Sequence, residues 1–400
     1  MENDCCPNDE TFLSGEALKA LAEKLPTPFY LYDEAGIRST ARLLREAFAW
    51  HDGYREYFPL RMTPNAAILK LLREEGCGVT CCSSAELSMA EACGFRGDLV
   101  LYDTMFPSPD ALSRMKRLGA AFVADSLESV MVAAECGVFP EKAVLRYNPG
   151  AKLTCGSATL ARPERAKLGM GGEELTRSLA VLRRGGVRRF GLAASLIKQT
   201  LDPRYYAAVA KLLIGLADEL KTSAGISTES CDLGGGAGLG FLAELADADI
   251  RAMGELTRSQ VMSLGGPRVP ELHTEIGRYL TGRNGILAAR VLAVKESYRS
   301  YLILDAGGGN FIRPQMNCYH HISIAGKTRN AGRRYYDVVG IVPDLADRFG
   351  ERRLLPPAEA GDLCVIHDAG FCGSALESGY GGAQRCAEYL WTPAGEARRI

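Results

Sequence analysis

From Tyr54 to Gly236 the sequence alternates, again and again, between a short run of strand formers and a longer run with helical spacing. YREYFPLRM reads as a strand and AAILKLLREEG as a helix with a glycine stop. GVTCC with SAELSMAEACG, DLVLYD with PDALSRMKRLG, and AAFVAD with SLESVMVAAECG repeat the pairing. KAVLRYN is a further strand, and a helix-rich stretch leads from it to RRFGLAA. DPRYYAAVAKLLIGLADELK is then a long amphipathic helix before the strand CDLGGG. Strands separated by helices line up parallel, because only antiparallel neighbours can be joined by a tight hairpin. Some seven or eight such units in about 250 residues predict an α/β fold closed as a TIM-type (β/α)8 barrel rather than an open sheet.

The pattern changes after Gly285. ILAARVLAVKESYRSYLILDAG alternates apolar and polar residues with period two and holds no helix, and VVGIV, DLCVIHDAG and AEYLW continue the strand pattern. A mostly antiparallel β-domain is therefore expected behind the barrel. Upstream, SGEALKALAEKL reads as a short helix, TPFYLYDEAGI as a strand and IRSTARLLREAFAW as a helix. The expected organisation is an N-terminal segment over 1–35 joining the β-domain, a barrel with a cofactor pocket over 36–285, and the β-domain over 286–400.

The chain carries 47 basic and 48 acidic residues, so no field of one sign favours nucleic acid or an anionic membrane. No stretch approaches the ~20 apolar residues of a membrane span. The start, MENDCCPNDE, lacks the basic residues and apolar run of a signal peptide. A cytoplasmic protein handling a small molecule is the expectation, with no nucleic-acid or membrane partner. The 13 cysteines are odd in number and irregular in spacing, which suggests neither a zinc site nor a disulfide framework. They read mostly as small buried hydrophobes. Adjacent His320 and His321 on a strand would point to opposite faces, so they read as structural residues and no metal site is expected.

A series of segments resembles the fold-type III pyridoxal-phosphate decarboxylases, the diaminopimelate and ornithine decarboxylase type. TPFYLYD at 27–33 is similar to that family's opening strand, and PNAAILKLLREEGCGV and SSAELSMAEACGF to its first two helices and the strand between them. LRYNPG at 145–150, AKLGM at 166–170, CDLGGGAGLGF at 231–241, TEIGR at 274–278, DAGGGNFIRPQM at 305–316, VVG at 338–340 and GDLCVIHDAG at 361–370 follow in the family's order. The resemblance spans nearly the whole chain and implies a barrel, a β-domain, pyridoxal phosphate as cofactor, an amino acid as substrate and a homodimer with a shared pocket.

It also implies site residues. Gly234, Gly235 and Gly236 end a strand where the family holds the phosphate; glycines let backbone N–H groups approach an anion. Glu275-Ile276-Gly277-Arg278 resembles the family's Glu-Pro-Gly-Arg, in which the glutamate keeps the pyridine nitrogen protonated. Gly277 and Arg278 then fall near the phosphate and the substrate carboxylate, and Arg278 suits a bidentate clamp. Arg313-Pro314 resembles the pair that binds the substrate's distal carboxylate, with Asn317 at the family's tyrosine position. A diamino or dicarboxylic amino acid is the implied substrate class.

The departures are chemical. PLRMTPN at 59–65 aligns with the family segment that carries the anchoring lysine, and Arg61 falls on it. A lysine amine loses its proton in a low-dielectric site and attacks the aldehyde. An arginine side chain stays charged and cannot. The nearest lysine, Lys70, lies on the following helix. Ser195 falls where the family stacks a histidine on the ring, Cys372 where a tyrosine meets the phosphate, and Pro343-Asp344 where a Cys-Glu pair crosses the dimer. Three readings follow: lysine-independent decarboxylase chemistry on non-covalent cofactor, with Arg61 and Cys372 in the catalytic positions and Asp344 reaching the substrate; a non-catalytic homologue acting as a regulator or partner subunit of an active paralogue; or thiol chemistry at Cys372, Cys318, Cys81 or Cys82.

Overall fold

The computed structural model describes residues 11–240, 247–266, 270–316, 318, 320–327 and 332–400. These form two compact units, one of Arg38–Gly238 with Ala248–Gly277 and the other of the described residues up to Ile37, those of Leu239–Asp247, and Arg278–Ile400.

The first unit is a closed barrel. Its strands are, in chain order, Arg55–Pro59, Gly78–Cys81, Val100–Thr104, Ala121–Ala124, Lys142–Arg146, Arg189–Ala193, Thr228–Asp232 and Glu271–Thr274. Each pairs parallel with the next, and Glu271–Thr274 closes on Arg55–Pro59 through His273 opposite Arg55 and Thr274 opposite Glu56. Helices cover these strands outside and side chains fill them inside. That two-sided burial is why GVTC, AFVA and KAVLR are buried along their whole length. Tyr57, Leu101, Ala121, Val123, Val144 and Ala193 pack as one cluster. Serines start the helices: Ser83, Ser108 and Ser126 each accept a backbone N–H of the first turn.

Three local expectations change. The segment YREYFPLRM is extended only to Pro59, and Leu60–Met62 form a 3-10 turn. The strand TPFYLYDEAGI stops at Asp33, whose carboxylate accepts the Ala35 N–H and turns the chain into the helix Glu34–Ala47. The stretch expected to be helix-rich opens with a hairpin, Leu153–Cys155 against Ala158–Ala161, because Gly156 takes a left-handed φ of 57° that reverses the chain. The helix Gly172–Arg184 follows.

The second unit is a mostly antiparallel sheet. The long strand Gly285–Glu296 is its spine and pairs antiparallel with Phe29–Asp33, Ser300–Leu304 and Leu363–Ile366. Phe29–Asp33 also takes Ala387–Trp391 as a parallel neighbour. The strands Ile322–Ile324, Arg348–Leu355 and Ala397–Arg399 are ones the pattern did not show. Leu18, Phe29, Leu31, Ile286, Ala288, Val365 and Tyr389 form the core beneath the sheet.

Two helix glycines test the packing. Gly254, in Ile250–Ser263, meets the backbone of Ala47 so closely that a Cβ would lie 2.1 Å from the Ala47 oxygen. Gly215, in Arg204–Ala224, has nothing within 4 Å of that position. Alanine adds about 1 kcal/mol of helix propensity at either, but overpacking against backbone costs roughly 1–3 kcal/mol. Gly254→Ala is expected to lower the denaturant midpoint and Gly215→Ala to raise it.

Candidate functional site

Parallel closure brings the C-terminal ends of all eight strands to one mouth. Arg146, the last residue of the fifth strand, is 2% exposed there. Its Nη2 lies 2.6 Å from Asp103 Oδ2 and its Nη1 donates to Asp125 Oδ1 at 2.9 Å. Asp125 Oδ1 also accepts the Gly169 N–H. The Arg146 Nε has no hydrogen-bond partner among the described residues. Burial pushes the Asp103 carboxyl up, but the charge and hydrogen bond of Arg146, with a smaller contribution from Arg61, outweigh it and hold the group below its usual range.

The seventh and eighth strands shape the neighbouring turn. Asp232 ends the seventh and accepts the Gly234 N–H at 2.8 Å. Gly234 has φ 71°, and a Cβ on it would lie 2.3 Å from the Ala194 oxygen; one on Gly235 would lie 2.3 Å from the Glu275 oxygen. Glycine at both positions therefore lets three strand ends meet. Gly234 accepts the Glu275 N–H, Gly236 accepts the Thr200 N–H, and Tyr206 OH accepts the Ala237 N–H. Half-buried Ser195 runs beside Gly234.

Glu275 follows the eighth strand and is 8% exposed. Burial, then the nearby Asp232 and Asp103, push its pKa well above the carboxylate range against the pull of Arg146 and Arg61. Arg61 sits exposed in the turn Leu60–Met62. Gly277 packs against that turn, where a Cβ would meet Met62 Cγ at 2.6 Å. Its part here is close packing. Lys70 is exposed on the helix Ala66–Glu74. Burial pushes the Cys81 thiol up and takes Cys82, beside Glu86, to about 11, so both are protonated at neutral pH.

In the second unit two guanidiniums meet one ring. Arg313 Cζ stands 4.0 Å from the Phe371 centroid and Arg278 Cζ stands 5.1 Å from it. Burial, then the charge of Arg313, lower the Arg278 pKa, and burial lowers that of Arg313. Two crowded cations of this kind favour an anion. Cys372 follows Phe371 with a strained φ of 50° and is half-buried. Asp344 lies apart on an exposed turn, bonded to the Tyr380 hydroxyl and the Ala346 N–H. Asn317 lies outside the described residues.

Sequence reasoning passed over Arg146, Asp103, Asp125, Asp232 and Phe371. The signal was present: Arg146, Asp103, Asp125 and Asp232 fall at or just after the C-terminal ends of barrel strands, and charge buried at such a place has to be paired.

A parallel barrel with buried charged groups at its C-terminal mouth, joined in one chain to a mostly antiparallel sheet, defines a barrel-plus-β-domain protein. The chain belongs to the pyridoxal-dependent decarboxylase family: the model of that family's pyridoxal binding domain matches residues 34–282. Protein TabA of Pseudomonas amygdali pv. tabaci is 31% identical over 388 residues, covering 96% of this chain and 90% of TabA. Diaminopimelate decarboxylase of Methanothermobacter thermautotrophicus is 28% identical, covering 94% of this chain and 90% of that enzyme. The crystal structure of diaminopimelate decarboxylase from M. jannaschii with L-lysine superposes with a TM-score of 0.87 at 22% identity, covering 96% of this chain and 92% of that one. At that identity the superposition speaks to the fold alone.

Glu275 carries a pH prediction. A carboxyl whose folded pKa is raised favours folding when protonated, and this contribution fades as pH climbs from the ordinary carboxylate value of about 4.3 through the raised one. Glu275→Gln removes the burden without changing the shape. Relative to the native chain it is expected to gain on the order of 1 kcal/mol by pH 8 and nothing near pH 4, read from urea midpoints without added ligand.

Proposed function

We propose that the chain binds pyridoxal phosphate at the barrel mouth without a covalent anchor and acts there as a carboxy-lyase on an amino acid with a second charged end. The observation that carries this reading is the buried Glu275 carboxylate beside the Gly234–Gly236 turn. Burial and the neighbouring Asp232 and Asp103 push its pKa up, and a protonated ring nitrogen is the partner that would offset this. The cofactor, when bound, supplies an electron sink for the carbon that loses carbon dioxide.

The chain's own residues would do the rest. Glu275 would hold a proton on the ring nitrogen, and the Gly234–Gly236 backbone would face the phosphate. Arg61 would add a fixed cation at the mouth, where the family resemblance expects a lysine. Arg146 would keep Asp103 ionised and in place. In the second unit, Arg278 and Arg313 around Phe371 would suit a substrate carboxylate. Asp344, exposed on its turn, would be available to a partner subunit in a homodimer. Support for the substrate class comes from the relatives named diaminopimelate decarboxylase. A non-catalytic subunit beside an active paralogue rests on the same Arg61, and turnover separates the two.

The experiment is a titration of the purified chain with pyridoxal phosphate, followed by absorbance and then dialysis or borohydride. The expected result is a reversible spectral change, lost on dialysis, with no lysine adduct after borohydride. Glu275→Gln should weaken it about tenfold or more. A borohydride-stable lysine adduct would overturn the lysine-independent reading, and no saturable binding would overturn the cofactor. Carbon dioxide released from meso-diaminopimelate above background supports the enzyme; none, with cofactor bound, supports the non-catalytic subunit.

A further inference from the structure

Arg313 is held from two sides. Its guanidinium lies over the Phe371 ring at 4.0 Å, and its Nε donates to His320 Nε2 at 3.0 Å. His320 is 1% exposed, and its other nitrogen, Nδ1, donates to the His367 oxygen at 2.9 Å. The His320 ring stands edge-on to Phe311, 4.8 Å between centroids. His367 in turn meets Ser323 through Nε2 at 2.8 Å. The stack on Phe371 fixes the plane of the guanidinium, and the bond to His320 fixes its rotation within that plane.

We propose that His320 is the positioning residue of Arg313: by taking the Nε–H it fixes the rotation of the guanidinium over Phe371 and so sets how that group meets a substrate carboxylate. This rests on the reading of Arg313 as a carboxylate ligand and adds the group that aims it. The arrangement requires the tautomer with hydrogen on Nδ1, because a proton on Nε2 would set two donors against each other. Burial, then Arg313, with Arg353 and Arg278 further off, holds the His320 pKa near about 3, against the opposing bond to His367. The imidazole is therefore neutral throughout the range in which the protein would work, and the aim of Arg313 does not titrate.

The test uses the full chain with pyridoxal phosphate, and meso-diaminopimelate as the probe. Nitrogen-15 labelling of the histidines should show one ring locked in the Nδ1–H tautomer from pH 8 to pH 5, and absent in His320→Leu. His320→Leu should weaken probe binding about tenfold, while His320→Gln, which keeps an acceptor, recovers most of it. Arg313→Leu and the double variant should bind equally weakly, because His320 acts only through Arg313. A protonated or Nε2–H ring, or a double variant weaker than Arg313→Leu alone, overturns the proposal. Native-like binding by Arg313→Leu removes the carboxylate reading, and the tautomer then decides the His320–Arg313 link by itself. If His320→Leu does not fold, the tautomer in the native chain and the His320→Gln binding remain decisive.

Discussion

Arg146 places a positive charge inside a barrel whose mouth is acidic, and that placement sets what the surrounding carboxylates do. Asp103 and Asp125 touch it and are paired. Asp232 and Glu275 stand further from it, and burial drives both towards protonation. One cation thus pairs directly with two of the four nearby acids and leaves the other two without that contact. Deleting it would leave charge buried without a partner, which costs about 3–5 kcal/mol in such pairs. The cost buys a mouth whose charge is arranged before any ligand arrives.

The glycine turn belongs to the same arrangement. Three strand ends converge there, and their backbones approach more closely than any side chain allows. Glu275 is delivered to the mouth by that convergence, through its N–H bond to Gly234. Its carboxylate is then desolvated by the packing that positions it. A buried acid whose pKa is raised by desolvation is a stability burden at neutral pH.

The second unit handles charge differently. Arg278 and Arg313 are cations held against an aromatic face, and His320 supplies a neutral acceptor where an acid might have stood. A carboxylate at that place would have cancelled the charge of Arg313. A neutral imidazole fixes the same N–H without cancelling that charge.

Much of this was legible in the order of residues. Period and glycine stops are local properties, so the alternation of strand and helix, the closed barrel and the change of pattern after Gly285 could be read directly. Gly234–Gly236, Glu275 and Arg61 were legible through their place in an ordered set of segments. The pairing of Arg146 with Asp103 and Asp125 was not, because the three residues sit on or after separate strands and meet only when the sheet closes. Nor was the bond from Arg313 to His320, since a histidine seven residues along says nothing of which nitrogen it turns inward. Local chemistry along the chain determined the elements and the candidate residues. The tertiary structure alone decided which charges lie within hydrogen-bonding reach in a low-dielectric interior, and therefore which of them pair.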